Sequence, residues 1–312
     1  RTRLTQKRDR ILKKSKRVLC EPETVKYAMI AQEPKLSTTR KCAIIGVSRS
    51  GYYDWRKRKL SQRELANTAL DVHIQRIYHE HAGRYGYRRI CDDLRDLGLL
   101  VSLERVRRRM KRLNLKAIQS RKFKHTTNSK HSLPIMPNLL EQDFYTGRAN
   151  QAWVGDITYI RVKQQWLYLA VILDLYSRKV IGWAFAERIN AKLVTDALKS
   201  ALRSRGYPTG VIMHTDRGSQ YCSRMYQSII KAYQLKASMS GKGNCYDNAA
   251  CESFFHTLKV EYVYQHCFVN IEQARSMIFW FIEVYYNRKR KHSTIGYQSP
   301  VNFEMATMKL AA

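Results

Sequence analysis

The sequence predicts an α/β protein: a mixed sheet covered on both faces, preceded by all-α helical units that carry most of the basic charge. Three observations lead there. From residue 152 onward, three apolar, β-branched runs follow one another and then alternate with helical patterns, as in a sheet that begins antiparallel and continues through crossovers. Before residue 118 the apolar residues recur at helical spacing, punctuated by Ser and Gly. Basic residues outnumber acidic ones by 57 to 25, a formal net charge of +32.

That charge is uneven. Residues 1–150 hold 36 Lys and Arg against 14 Asp and Glu, net +22, whereas residues 151–312 hold 21 against 11, net +10. Such a balance fits an extended polyanion, because cationic side chains displace counterions condensed on phosphates. No apolar run nears the roughly 18 residues of a membrane span, and no signal-peptide pattern opens the chain. Cytoplasmic, nucleoid-associated residence without a membrane partner is expected. The seven cysteines are scattered and include no C-x-x-C, so neither a disulfide framework nor a zinc ribbon is supported.

In chain order, residues 1–34 begin with a basic helix on which Leu4, Ile11 and Val18 recur at heptad-like spacing. It reads as the end of a coiled coil or as a solvated basic helix. Residues 35–60 read as a helix-turn-helix: Ser37 caps a first helix, Gly46 closes it, and Ser48 or Ser50 opens a second one ending in Arg56 to Lys59. Arg49 and Arg56 are its candidate DNA contacts. Residues 61–118 form a second helical unit, with one helix over 64–82, a break at Gly83 and Gly86, a helix over 88–97, and a last one capped by Ser102. Arg88, Arg89, Arg105, Arg107, Arg108, Arg109, Lys111 and Arg112 are candidate DNA contacts there, since Glu104 alone offsets the charge of the last helix. Residues 119–149 are polar, basic and interrupted by Pro134 and Pro137, as expected of a linker lying along phosphates.

The remaining residues, 150–312, carry the predicted sheet. Strands are expected over 152–162, 166–175, 179–187, 210–215 and 236–239, and helices over 190–205, 223–233 and 247–262. Three carboxylates fall on separate elements: Asp156 and Asp216 at or near the ends of neighbouring strands, and Glu252 on the last helix, with 35 residues between the second and the third. Three acids without a His/Cys cluster suit a hard divalent cation, and phosphodiester chemistry needs both the attacking and the leaving oxygen stabilised. Asp174 reads as a turn cap, and His214 as structural or substrate-positioning. His256 and Lys259 follow Glu252 by four and seven residues on one helix face, and Lys242 lies in a glycine-rich loop, so all three are placed against DNA.

Together the stretches W-V-G-D-I-T-Y-I, H-T-D-R-G-S-Q-Y, D-N-A-A-C-E-S-F-F-H-T-L-K and Y-N-R-K-R-K-H-S-T-I-G-Y-Q-S-P resemble the DDE transposases of the insertion-sequence-three family, its second-frame or fused product. The G-V-S-R-S-G-Y-Y-D-W and G-R-Y-G-Y-R-R-I stretches resemble its helix-turn-helix region. The resemblance implies a ribonuclease-H-like, integrase-type core over 150–312 with a C-terminal tail motif. It also implies a catalytic, metal-binding triad of Asp156, Asp216 and Glu252, with two Mg²⁺ ions that Mn²⁺ can replace, and a basic partner at Lys259. Ile295 departs from the leucine usual in the tail motif. Retroviral integrases themselves fit less well, since His79 and His81 have no C-x-x-C partner.

The implied activity is cleavage and 3′-hydroxyl strand transfer at terminal inverted repeats, by way of a circular intermediate. The implied partners are target DNA, further copies of the chain and the first-frame protein. A non-catalytic DNA-binding regulator and a hydrolysis-only nuclease of the same fold remain the alternatives. R-D-R-I-L-K-K resembles the end of the first-frame protein, which leaves open whether the chain is a truncated fusion.

Overall fold

The computed structural model describes residues 21–32, 36–59, 61–118, 136–141, 143–241 and 248–311. The basic helix expected over residues 1–20, linker residues 119–135 and Lys242 lie outside the described residues. Compactness divides the chain into Arg1–Val72 and His73–Ala312.

In the first unit, α1 (Glu23–Gln32), α2 (Thr38–Ile45) and α3 (Arg49–Lys57) enclose a small core of Tyr27, Ile30, Cys42, Ile45 and Tyr52. The caps read from sequence hold. Ser37 Oγ accepts from the Arg40 amide and Ser48 Oγ from the Gly51 amide, while Gly46 closes α2 at φ 71°, a left-handed conformation that suits glycine. The first helix, α1, was not expected between Pro22 and Pro34. Pro22 lacks only an N–H, and its carbonyl accepts from the Val25 and Lys26 amides, so it starts the helix instead of breaking it.

α4 (Gln62–Glu80) spans the division between the units. It is followed by α5 (Tyr87–Asp96) and α6 (Leu103–Arg112), the latter capped by Ser102 onto the Arg105 amide. Ile90, Cys91, Leu94, Val106 and Met110 are buried, and the polar faces of α5 and α6 carry the arginines.

The sheet contains five strands in the order β3-β2-β1-β4-β5. Strands β1 (Ala152–Val162), β2 (Gln165–Asp174) and β3 (Val180–Ala186) form an antiparallel meander, whose first turn is Lys163 and Gln164. Strands β4 (Ile212–Thr215) and β5 (Lys236–Met239) run parallel to β1, each reached through a helix: α7 (Ala191–Ser204), then α8 (Arg224–Ala232). Alternating residues supply two cores. Trp153, Ala170, Ile172 and Met213 meet α7 and α8 on one face. Val154, Leu169, Val171 and Leu173 meet α9 (Ala249–Glu261) and α10 (Ile271–Trp280) on the other. Glycine is required at 182, where a Cβ would overlap the Ala197 carbonyl and the Ala201 amide of α7.

After α10 a wider helical turn, Phe281–Tyr286, leads into the tail, which ends in α11 (Pro300–Ala311). The Asn287 side chain accepts from the Val180 amide at 3.0 Å and donates to the Val180 carbonyl at 2.9 Å, as a neighbouring strand would. At the opposite edge the Met239 amide donates to the Pro137 carbonyl at 3.3 Å. Glu304 of α11 accepts from Ser177 at 2.6 Å and Lys179 at 2.9 Å, and is paired with Arg205. The same Arg205 reaches Asp174 at 3.1 Å, and Asp174 also accepts from the Asn150 and Tyr176 amides, so it is a buried cap, as expected. No helix among the described residues is long and apolar enough to cross a membrane.

Candidate active site

Strand register builds the site. In the parallel β1–β4 pair the last partners are Val154 with His214 and Gly155 with Thr215. Asp156 is therefore the next residue of β1 and Asp216 the first residue past the end of β4, so neighbouring strands bring the two acids to the same end of the pair. Asp156 lies two residues beyond Val154 and shares its face, the one covered by α9. His214 is structural: its buried ring hydrogen-bonds Ser238 at 2.8 Å and Ser240 at 3.2 Å, joining β4 to β5. Past Thr215 the chain turns sharply, and Asp216 accepts from the Gly218 amide at 2.9 Å. A Cβ at Gly218 would stand 3.0 Å from that same carboxylate oxygen.

Glu252 sits in the first turn of α9, exposed, while its neighbours Cys251, Phe254 and Phe255 are buried. The start of the helix is fixed to β1 by Asn248, whose side-chain amide donates to the Gly155 carbonyl at 3.3 Å, one residue before Asp156. The half-buried Asp156 carboxyl is pushed well above the usual carboxylate range, first by burial, then by the charges of Asp216 and Glu252. The Ile157 amide, 2.7 Å from it, and Lys259 act in the opposite direction. The three acids thus act on one another electrostatically. They are less tightly gathered than Asp92, Asp93 and Asp96, the one trio among the described residues whose ligand atoms all lie within 4.8 Å of one another. That second trio is gathered around Lys291, 2.6 Å from Asp92 and 2.9 Å from Asp93.

Lys259 differs from the expected solvent-facing phosphate grip. It is buried, with its ammonium 4.6 Å from the centre of the Tyr159 ring, and burial lowers its pKa while Asp156 raises it. His256, one turn earlier, is exposed. Two residues near the acids were not expected from sequence. Tyr221 and Cys251 are buried, and both are pushed well upward by burial, then by Asp156 and Asp216. Tyr221 lies in the same sequence stretch as Asp216, and Cys251 directly precedes Glu252.

Of the basic residues of the helical region expected to meet DNA, Arg49, Arg56, Arg88, Arg107, Arg108, Lys111 and Arg112 are exposed, whereas Arg105 and Arg109 are half-buried. Arg89 is half-buried, with its guanidinium 3.7 Å from Glu261, and Arg84 donates to the Glu261 carbonyl at the end of α9.

Residues 147–245 and 233–300 match two families described as integrase core domain, and residues 64–123 match an HTH-like domain. The chain is 44% identical over 283 residues to "Transposase InsF for insertion sequence IS3A" of Escherichia coli strain K12, covering 90% of this chain and 98% of that protein. It is also 44% identical over 271 residues to "Insertion element IS600 uncharacterized 31 kDa protein" of Shigella sonnei, covering 87% of this chain and all of that protein. Among solved structures it is similar to a simian T-cell lymphotropic virus intasome in complex with PP2A regulatory subunit B56 gamma, at 19% identity and a TM-score of 0.43, covering 63% of this chain and 66% of that one. A second is the HTLV-2 integrase catalytic core in complex with magnesium, at 18% identity and a TM-score of 0.39, covering 50% and 97%.

Proposed function

Since the chain belongs to the transposases of IS3-type insertion sequences, polynucleotidyl transferases with an integrase core and an HTH-like domain, we propose that Asp156, Asp216 and Glu252 are its catalytic carboxylates. The observation that carries this reading is the β1–β4 register, which sets Asp156 beside Asp216 under the helix bearing Glu252. The donor set fits Mg²⁺, two ions with Mn²⁺ as substitute: three carboxylates, hard oxygen donors, with Asp156 disfavoured as an anion first by burial and then by its neighbours' charge. When bound, such ions supply activation of the attacking oxygen and stabilisation of the leaving one.

The chain's own residues do the rest. The Ile157 and Gly218 amides orient Asp156 and Asp216, Asn248 fixes the start of α9, and Lys259 keeps a positive charge beside Asp156. Terminal-repeat and target DNA would be gripped by the exposed arginines of α3, α5 and α6, with further copies of the chain and the first-frame protein as partners. In the first step water attacks a phosphodiester at the element's end and the 3′-oxygen leaves as a hydroxyl. In the second, that 3′-hydroxyl attacks another phosphodiester, losing its proton, and the displaced 3′-oxygen takes one up.

Incubating the protein with pre-cut terminal-repeat duplex and Mg²⁺ should give strand-transfer products that disappear with EDTA and in Glu252→Gln. Transfer by Glu252→Gln at the parent rate would sink the assignment. Cleavage without any joined product would point to a hydrolysis-only nuclease, and DNA binding without either reaction to a regulator.

A further inference from the structure

Helix α9 carries Glu252 near its start and ends on Glu261, roughly 13 Å away along the axis at 1.5 Å per residue. A helix end leaves carbonyls without intrahelical partners and holds partial negative charge. Here that end is met by cations from outside the sheet. Arg84 Nε donates to the Glu261 carbonyl at 3.0 Å, and its buried guanidinium lies over the rings of Tyr285, at 4.6 Å, and Tyr262, at 5.4 Å. Arg290 of the tail grips the Glu261 carboxylate with two nitrogens, at 2.9 and 2.6 Å. Arg89 adds a third guanidinium at 3.7 Å.

Neutralising Glu261 does not require Arg89, since the bidentate Arg290 contact already does so. Nor is Arg89 placed cheaply: burial lowers its pKa, and the charge of Arg290 lowers it further. The stretch that delivers Arg84 and Arg89 is itself held firmly. The His81 ring stacks on Tyr85 at 3.6 Å, the Tyr85 hydroxyl accepts from the Lys291 amide at 2.9 Å, and Lys291 pairs with Asp92 and Asp93 of α5. The sequence motif G-R-Y-G-Y-R-R is therefore a socket for the end of α9.

We propose that Arg84 and Arg89 are positioning residues for the reaction: by holding the last turn of α9 they set where the Glu252 carboxylate stands relative to Asp156 and Asp216. The seat of the helical unit on the core thereby becomes a condition for activity. This inference rests on the reading of Glu252 as a site carboxylate.

The test is single-turnover strand transfer on pre-cut terminal-repeat duplex, with DNA affinity measured at several salt concentrations and melting temperature as a fold check. Arg89→Gln leaves the Glu261–Arg290 pair intact. The expected result is a rate lowered by about ten- to a hundredfold, the scale of a sub-ångström to ångström misplacement. Affinity, salt slope and melting temperature should stay as in the parent, with most of the rate restored by Arg89→Lys. Arg84→Lys, which keeps charge but loses the planar donor, should slow transfer in the same way. A parent-like rate in Arg89→Gln overturns the inference, and so does weaker binding with a shallower salt slope, which would make Arg89 a phosphate contact. Glu252→Gln run alongside separates the two claims. If it transfers normally, the triad reading falls; if it is dead while Arg89→Gln is not slowed, only the positioning role falls.

Discussion

Two arginine-rich stretches of the same helical region, 84–89 and 105–112, look alike in sequence and end in opposite environments. On α6, Arg107 and Arg108 stand in solvent and share one acid, Glu104, which they hold down to about pKa 2 at contacts of 2.7–3.0 Å. At 84–89 the guanidiniums of Arg84 and Arg89 turn inward onto Glu261 and a cluster of tyrosines, while Arg88 between them stays exposed. The difference lies in the partners. An exposed ion pair on a helix contributes little to stability and leaves the cation available to a phosphate. A buried guanidinium must be paired, and once paired it belongs to the fold.

The sharpest way to break this contrast is to remove the buried partner. Arg290→Met takes the bidentate partner from the Glu261 carboxylate, leaving it the longer 3.7 Å contact with Arg89, and should cost about 3–5 kcal/mol, lowering the melting temperature by roughly 6–20 °C. A melting temperature within a degree or two of the parent would show that the inward cluster does not hold the fold. The double variant Arg107→Ala with Arg108→Ala should do the reverse, changing stability by no more than about 0.5 kcal/mol. Its log–log salt slope for DNA binding should be shallower by about 2. An unchanged slope would return α6 to the status of a solvated face.

The smallest expected effect is a pH dependence. His292 lies beside Arg290, its Nδ1 3.4 Å from the guanidinium, and is held well below the usual histidine pKa, first by burial and then by the charges of Arg290, Arg89 and Arg178. Its folded pKa is below its unfolded value near 6.5, so the unfolded chain takes up a proton that the native one refuses. Stability should therefore fall as pH drops through about 6.5. In His292→Asn the melting temperature should decline less between pH 7 and 5.5; an equal decline in both would exclude His292 as the cause.

Signals confined to a few neighbouring residues were readable. Ser37, Gly46, Ser48 and Ser102 fixed helix ends through contacts spanning three or four positions, and β1 and β5 fell where their apolar alternation put them. The elements that carry Asp216 and Glu252 were readable too, but Asp156, expected at or near a strand end, lies inside β1, which runs on to Val162. What was not legible depends on distant partners. Nothing near Arg84 indicates that its acceptor is the carbonyl of residue 261, and nothing near Lys259 shows that it is covered by Tyr159 and drawn toward Asp156. Helices α10 and α11 were not expected: α10 gives Ala274 and Ile278 to a core contributed mostly by the sheet, and α11 is held through Glu304, whose partners Ser177, Lys179 and Arg205 are distant in sequence.

The two sheet margins have a consequence for assembly. Asn287 occupies the hydrogen-bonding groups of Val180 where β3 begins, and Pro137 takes the Met239 amide where β5 ends. An unprotected outer strand is a template onto which any passing chain can zip. With those positions occupied, part of each margin is closed to a passing strand, which lowers the chance of edge-to-edge pairing.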